Sequence, residues 1–400
     1  MIGTQVGSGP ARRRLLRSQT CVIIAALLVA AAACSRPAPG TVRGSVEQTG
    51  SRVPGSGSGG TLTVLSASFV SASVGWLLAT PCADQVQACR TVVLRKTLDG
   101  GRTWFAVQAP DAPPADMFQG SPPTGAVGAI LFASAREGWA FGPSLWQTRD
   151  GGATWQKMSV PGGPVQGLGV AGDRVLAVTG RCGVDYPACS FRVYSAVAGS
   201  DDWRPVPGAV GTGISSVRLA VSGGVGYVLA AAVNPGKPVL LAGPVNGSAR
   251  WQSRPDPCRG AWSGALATSP GGWLFLACGN EPGAGNQLKA AYLSDDGGRS
   301  WRQLASPPFG GYLAGASMSP GGTIFLSGER MDVYISWDRG RSWHESPSLE
   351  NAAGLAGAGL PLTGLTITDT QGIAYQEGVH RQQIWLTSDG GRRWTSVTVR

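Results

Sequence analysis

The chain has 400 residues, 42% of them apolar, which is enough to bury a substantial core and excludes disorder along its whole length. Glycine (61) and proline (28) are abundant and charged residues make up only 14%, so an all-helical fold is disfavoured and many short strands joined by turns are expected. The net charge is +10, and with only two histidines, His344 and His380, a histidine-based metal centre is not expected; nothing in the sequence calls for a cofactor.

The first predicted element is an address. Residues 11–17 are basic, and residues 21–33 form an uninterrupted apolar run ending in small side chains. This is the pattern of a secretory signal over residues 1–33. Thirteen residues at helical rise are too short for a hydrocarbon core of about 30 Å, so a permanent membrane span is the weaker reading. The string Leu28-Val29-Ala30-Ala31-Ala32-Ala33-Cys34 resembles a bacterial lipobox, with Ala31 where that motif usually carries leucine. The resemblance implies lipidation of Cys34, a membrane partner through that anchor, and a place in the bacterial envelope outside the cytoplasm. Plain secretion with Cys34 free is the alternative.

Residues 34–60 are rich in Ser, Gly, Pro and Arg with scarcely a bulky apolar side chain, and read as a flexible tether. Loss of the signal removes Arg12, Arg13, Arg14 and Arg17 and no acid, so the charge falls from +10 by four to +6. That excess is scattered, without a basic cluster interleaved with aromatics, so no nucleic-acid partner is expected.

Six cysteines remain, as Cys82 with Cys89, Cys182 with Cys189 and Cys258 with Cys278. An even number in an exported chain suggests disulfides, and although six cysteines allow fifteen connectivities, the shared C-x6-C spacing of the first two pairs favours neighbours. Zinc would want C-x2-C spacing or histidine partners, and redox catalysis a C-x-x-C motif; both are missing.

Internal repetition dominates residues 61–400. Thr97-Leu98-Asp99-Gly100-Gly101-Arg102-Thr103-Trp104 returns as Thr148-Arg149-Asp150-Gly151-Gly152-Ala153-Thr154-Trp155 and as Ser294-Asp295-Asp296-Gly297-Gly298-Arg299-Ser300-Trp301. It returns again as Ser336-Trp337-Asp338-Arg339-Gly340-Arg341-Ser342-Trp343 and Thr387-Ser388-Asp389-Gly390-Gly391-Arg392-Arg393-Trp394. Degenerate copies at 199–203 and 246–251 keep only the tryptophan, giving Trp104, Trp155, Trp203, Trp251, Trp301, Trp343 and Trp394. Upstream of each lies a turn followed by an apolar strand, at 73–78, 136–141, 173–178, 224–229, 271–276, 321–326 and 371–375. A unit of about 48 residues with room for four short strands is the size of a propeller blade. The expectation is therefore all-β, a seven-bladed β-propeller over residues 61–400 with four-stranded antiparallel blades, filling that region without a second domain. Because the last repeat runs to residue 399, closure without a strand exchanged between the ends is expected.

The repeated string resembles the Asp box, or BNR repeat, of the sialidase-like superfamily, and the pairing of G-W-x-x with T-x-D-G-G-x-T-W most closely resembles the photosystem II assembly-factor type of BNR propeller. That resemblance implies a binding scaffold and carries no implication of photosynthesis. In such boxes Asp99, Asp150, Asp296, Asp338 and Asp389 are turn acids that hold the hairpin between third and fourth strands, the tryptophan covering the hairpin and packing into its blade.

All three cysteine pairs fall on the end opposite the boxes, where propellers of this kind bind. Trp262, Tyr312, Tyr186 and Arg259 are the contact candidates in those loops, with an envelope protein or glycan as partner; packing is the alternative role for each. A sialidase would need an F/Y-R-I-P motif, and Ser190-Phe191-Arg192-Val193 is the nearest string, in the wrong repeat. A glycosidase of the ordinary kind would need two facing carboxylates. The loop acids Asp84, Asp111, Asp116, Asp185, Glu281, Glu329 and Glu377 show no spacing that singles out a pair, so no catalytic residue is assigned and a divergent glycoside hydrolase stands second.

Overall fold

In the computed structural model the first sheet is an antiparallel meander of β1 (Thr63–Phe69), β2 (Gly75–Thr80), β3 (Val93–Thr97) and β4 (Phe105–Val107). The next contains β5 (Ala129–Phe132), β6 (Gly138–Phe141), β7 (Leu145–Thr148) and β8 (Gln156–Met158). The structure describes residues 62–81, 90–115, 125–182, 189–232, 239–259, 261, 263–280, 283, 286–308, 310–328, 333–346, 349, 362–376 and 383–400, all within one unit, Gly57–Arg400. The signal, the tether, Cys34, Cys82, Cys89, Tyr186 and Trp262 lie outside the described residues.

Three further four-stranded sheets follow the same pattern. They are β16 (Ser263–Thr268) to β19 (Arg302–Gln303) through β17 (Leu274–Gly279) and β18 (Lys289–Ser294); β20 (Leu313–Met318) to β23 (His344–Glu345) through β21 (Ile324–Gly328) and β22 (Val333–Ser336); and β24 (Leu362–Thr366) to β27 (Thr395–Thr398) through β25 (Gly372–Gln376) and β26 (Gln383–Thr387).

Between them sits a seven-stranded sheet, and here the expectation of separate blades is corrected. Its strands are β9 (Val165–Ala171), β10 (Arg174–Cys182), β11 (Cys189–Val197), β12 (Arg204–Ser222), β13 (Val225–Ala232), β14 (Val239–Pro244) and β15 (Gln252–Arg254). The 19-residue β12 pairs with β11 through its first half and with β13 through its second, the change falling at Ile214. The third and fourth repeats thus share one strand, and the described residues form six sheets instead of seven.

Burial explains why the second strands read as unbroken apolar runs: β2, β17, β21 and β25 are buried along their whole length because each is covered by a sheet on both faces. The outermost strands, such as β4 and β15, are mostly exposed. Between consecutive repeats lies a hydrophobic layer, as where Trp76, Leu78 and Leu94 of the first sheet meet Ile130, Phe132 and Ala140 of the second. The ring closes in the same way, with Ile373, Ile384 and Val399 packed on Leu62, Val64 and Leu77. Among the described residues no strand is exchanged across this seam: β1–β4 and β24–β27 each pair in chain order. Hydrogen bonds from Gln371 Nε2 to Ala72 O and from Arg95 Nε to Arg400 O, both 2.6 Å, join the two ends.

The five repeated turns make one set of bonds. The first Ser or Thr hydroxyl donates to Asp Oδ1 at 2.8–3.0 Å and accepts from the amide of the second glycine position at 2.6–2.9 Å. The same carboxylate accepts the amide four residues on at 2.8–2.9 Å. In four of the turns the hydroxyls of Thr103, Thr154, Ser300 and Ser342 add a bond at 2.6 Å, whereas Arg393 has none to give. Arg339 occupies a left-handed position, φ 60°, where the other turns use glycine, and its guanidinium lies 3.6 Å over the Trp273 ring of the preceding repeat.

These bonds hold the turn acids ionised. The hydroxyl and amide of Thr103 bring the Asp99 carboxyl down to about 2, and those of Thr154 do the same for Asp150. At Asp338 partial burial pushes upward, but the bonds from Ser342 and Ser336 outweigh it and the carboxyl again lies at about 2. A carboxyl depressed on folding contributes stability above its unfolded value near 3.9, lost as pH falls through the folded value. Asp338→Asn is therefore expected to cost about 1 kcal/mol at neutral pH, allowing for solvent screening of a half-buried group, and to converge with the parent near pH 2. Chemical unfolding midpoints between pH 7 and 2 measure this.

Trp104 covers its own hairpin, donating its indole N–H to Gly101 O at 2.8 Å, but four other tryptophans also reach the preceding repeat. Trp155, Trp301 and Trp343 donate their indole N–H to the carbonyls of Gln108, Pro255 and Ala305, just past the outer strand of the preceding repeat, at 2.8–2.9 Å. Trp394 reaches Ser346 Oγ likewise at 2.9 Å. These rings stitch neighbouring repeats together instead of only covering their own hairpins.

Candidate interaction surface

Antiparallel order puts the five repeated turns and the first-to-second strand turns at one end, as the bond from Gly100 N to Ser73 O shows. The second-to-third strand connections and the chain's entry into β1 lie at the other. Cys258–Cys278 bridges the connection after β15 to the end of β17 at this loop-bearing end, both cysteines being buried. At the end of β10–β11, Cys189 is disulfide-bonded and its backbone pairs with that of Cys182.

The Cys258–Cys278 loop is held further by Asp256, whose Oδ1 accepts the Cys258 amide at 2.9 Å. Burial pushes the Asp256 carboxyl up, against that bond. Cross-linking residues 20 apart removes about 3 kcal/mol of unfolded-state entropy. The Cys258→Ser, Cys278→Ser double variant is therefore expected to unfold about 3 kcal/mol more easily in denaturant titration, and a reductant to destabilise the parent by more than the variant, which keeps the disulfide at Cys189.

Sequence reasoning missed the side chain that organises this rim. Lys289, buried, donates to Gln287 O at 2.7 Å, to Gly311 O at 2.9 Å and to Asn286 Oδ1 at 3.2 Å. Gln287 Oε1 in turn accepts the Leu313 amide at 3.0 Å. Tyr312, half-buried, lies between the two tethered residues Gly311 and Leu313, so its backbone is fixed although it belongs to a connection. A lysine in an alternating strand looks like a solvated residue, and nothing in its spacing marks it as a staple. Arg259 is exposed, its amide donating to Asp256 O at 3.3 Å.

Ser216, Arg218, Leu229, Cys258 and Ser263 line a void of about 20 Å³ beside the disulfide, room for a single water. The described loop-bearing end offers a stiff surface around Arg259 and Tyr312. Of the loop acids, Asp111 is described and exposed, whereas Asp84, Asp116, Asp185, Glu281, Glu329 and Glu377 lie outside the described residues. Among the described residues no three His, Cys, Asp or Glu side chains converge as a metal site, and no helix is long and apolar enough to cross a membrane.

The meandering sheets ringed by inter-repeat cores define the protein as a β-propeller. Solved structures agree: YCF48 bound to a D1 peptide superposes with a TM-score of 0.55 at 18% identity, covering 83% of this chain and 94% of that one. YCF48 from Cyanidioschyzon merolae gives 0.55 at 14%, covering 83% and 97%. The Pyrococcus horikoshii acylaminoacyl peptidase gives 0.53 at 9%, covering 84% of this chain and 52% of that one. The chain is thus a propeller resembling the YCF48 type. No family model and no curated protein matches its sequence.

Proposed function

We propose that the chain is exported, anchored by a lipid on Cys34, and displays a seven-repeat propeller as a non-catalytic scaffold that binds a protein of the bacterial envelope through its loop-bearing end. The observation that carries this reading is the likeness, over nearly the whole of the other chain, to a propeller solved with a peptide bound. The stiffened rim supports it further, because a preorganised surface lowers the ordering cost of binding a protein.

The test is photo-cross-linking in the native host. A photo-reactive residue at Arg259 or Tyr312 should yield one discrete protein adduct in the membrane fraction, and the same residue at Arg102, among the repeated turns, should not. Cys34→Ser should release the protein from membranes. Adducts on glycan alone, or equal capture from both ends, would sink the proposed binding mode; membrane retention of the Cys34→Ser variant would sink the anchor.

A further inference from the structure

At the turn-bearing end the tryptophans of the two degenerate copies make no indole bond to the preceding repeat, unlike Trp155, Trp301, Trp343 and Trp394. Trp251 does not reach the preceding repeat's chain through its indole; its N–H donates to Pro244 O of its own repeat at 3.1 Å, and the ring lies over Gly226 and Gly243, where any Cβ would collide with it. Trp203 N–H is buried with no hydrogen-bond partner. Between these two turns opens a cleft of about 470 Å³, whose walls include Arg174, Ser195, Asp202, Arg204, Pro205 and Asn246. That is the size of sites that hold small ligands or a few residues of peptide.

The lining has a definite chemistry. Arg174 is half-buried, and its ion pair with Asp173 is long at 4.0 Å, so its fork of donors keeps capacity toward the cleft. Arg204 grips Asp202 Oδ2 through Nε at 3.0 Å and Nη2 at 2.8 Å, both residues being exposed. The Ser195 hydroxyl is committed to Val245 O at 2.6 Å. Beside the lining residues, Arg149 Nη2 bonds to Gly199 O of the third turn and the Arg250 side chain lies against Gly208. The Asp202 carboxylate is thus a built-in occupant of one guanidinium, while the other is open. Val197, Pro205 and Pro207 give small apolar faces, and no aromatic ring among the lining residues offers a sugar a stacking surface.

We propose that this cleft binds an acidic peptide segment, whose carboxylate engages Arg174 and competes with Asp202 for Arg204. A bidentate carboxylate is the natural complement of such a fork. The proposal does not depend on the loop-bearing end, since cross-linking at Tyr312 and binding here read opposite ends of the molecule, and either can fail alone.

The full chain in detergent micelles, titrated calorimetrically at low salt with acetyl-Glu-Val-Glu-amide, tests it. Binding is expected, with the Gln-Val-Gln analogue at least tenfold weaker. Arg174→Gln should weaken the glutamate peptide about tenfold, and Asp202→Asn, which frees Arg204 and removes a like charge, should tighten it several-fold. Arg341→Gln, in the sixth repeat's turn, should change nothing. The idea is overturned by equal binding of the analogue, by no binding of either peptide, by parental affinity in Arg174→Gln, by weaker binding in Asp202→Asn, by an equal loss in Arg341→Gln, which would indicate diffuse charge, or by glucuronate matching the peptide, which would make this a sugar-acid site.

Discussion

Replacing Trp76 with alanine is expected to destabilise the propeller by about 3–5 kcal/mol, among the largest effects available to one substitution here. Trp76 is fully buried in β2 and stacks parallel to Phe132 of the second sheet, ring centroids 3.7 Å apart. Its indole N–H donates to Gly151 O, in the neighbouring turn, at 3.1 Å. Alanine would leave a cavity at the junction of two sheets and a buried carbonyl without its donor. Trp76→Phe separates the two contributions: it keeps most of the packing, loses the bond, and should cost about 1–3 kcal/mol. Denaturant midpoints measure both, and equal losses in the two variants would show that the hydrogen bond, not the ring, dominates.

The second large effect concerns a glycine. Gly391 has φ 88°, and a Cβ there would stand 2.0 Å from Ile335 Cδ1 of the preceding repeat. Gly391→Ala therefore combines left-handed backbone strain of about 1–2 kcal/mol with overpacking of about 1–3 kcal/mol. Gly298, at the matching position of another turn, has φ 79°, but a Cβ added there would meet its nearest side-chain atom at 3.6 Å, an ordinary contact. Gly298→Ala should show the strain alone. A Tm loss at least twice as large for Gly391→Ala is the expected result, and equal losses would mean that the neighbouring strand yields freely.

These two positions also show what the sequence could reveal. The glycine pair in D-G-G announces its turn because positive φ is a local demand that few residues meet. The second reason for glycine at Gly391, contact with Ile335, is long-range and leaves no local mark. Trp76 was legible as part of a recurring turn and strand, but its stack on Phe132 depends on how one sheet sets against the next.

The shared strand was harder still. The run Pro205-Val206-Pro207-Gly208-Ala209-Val210-Gly211-Thr212-Gly213 has the composition of a linker, yet it stays extended, with Gly208 and Gly213 at positive φ and irregular register against β11. Pairing with β11 on both sides of the unpaired stretch 206–209, and then with β13, overrides the turn propensity. Of the candidate surface, the Cys258–Cys278 pair could be read from sequence because cysteine chemistry is restrictive. The role of Lys289 could not, since its acceptors are backbone carbonyls that any residue would supply. The cleft between the degenerate turns was invisible for a related reason: its residues come from three separate stretches of chain.

The seam without an exchanged strand has a mechanical consequence. A pulling force that enters the ring at Thr63 falls on β1, whose backbone ladder is with β2 alone, while Ser66 and Ser68 accept the Ile130 and Phe132 amides of β5 at 3.2 and 2.9 Å. It can peel away without rupturing any ladder of the last sheet, which would lose the side-chain cover of Leu62, Val64, Ala67 and Phe69. A force applied within β12 would have to break pairing with both β11 and β13. Under load the ring therefore has a soft latch where its ends meet and a stiff spine at the fused repeats.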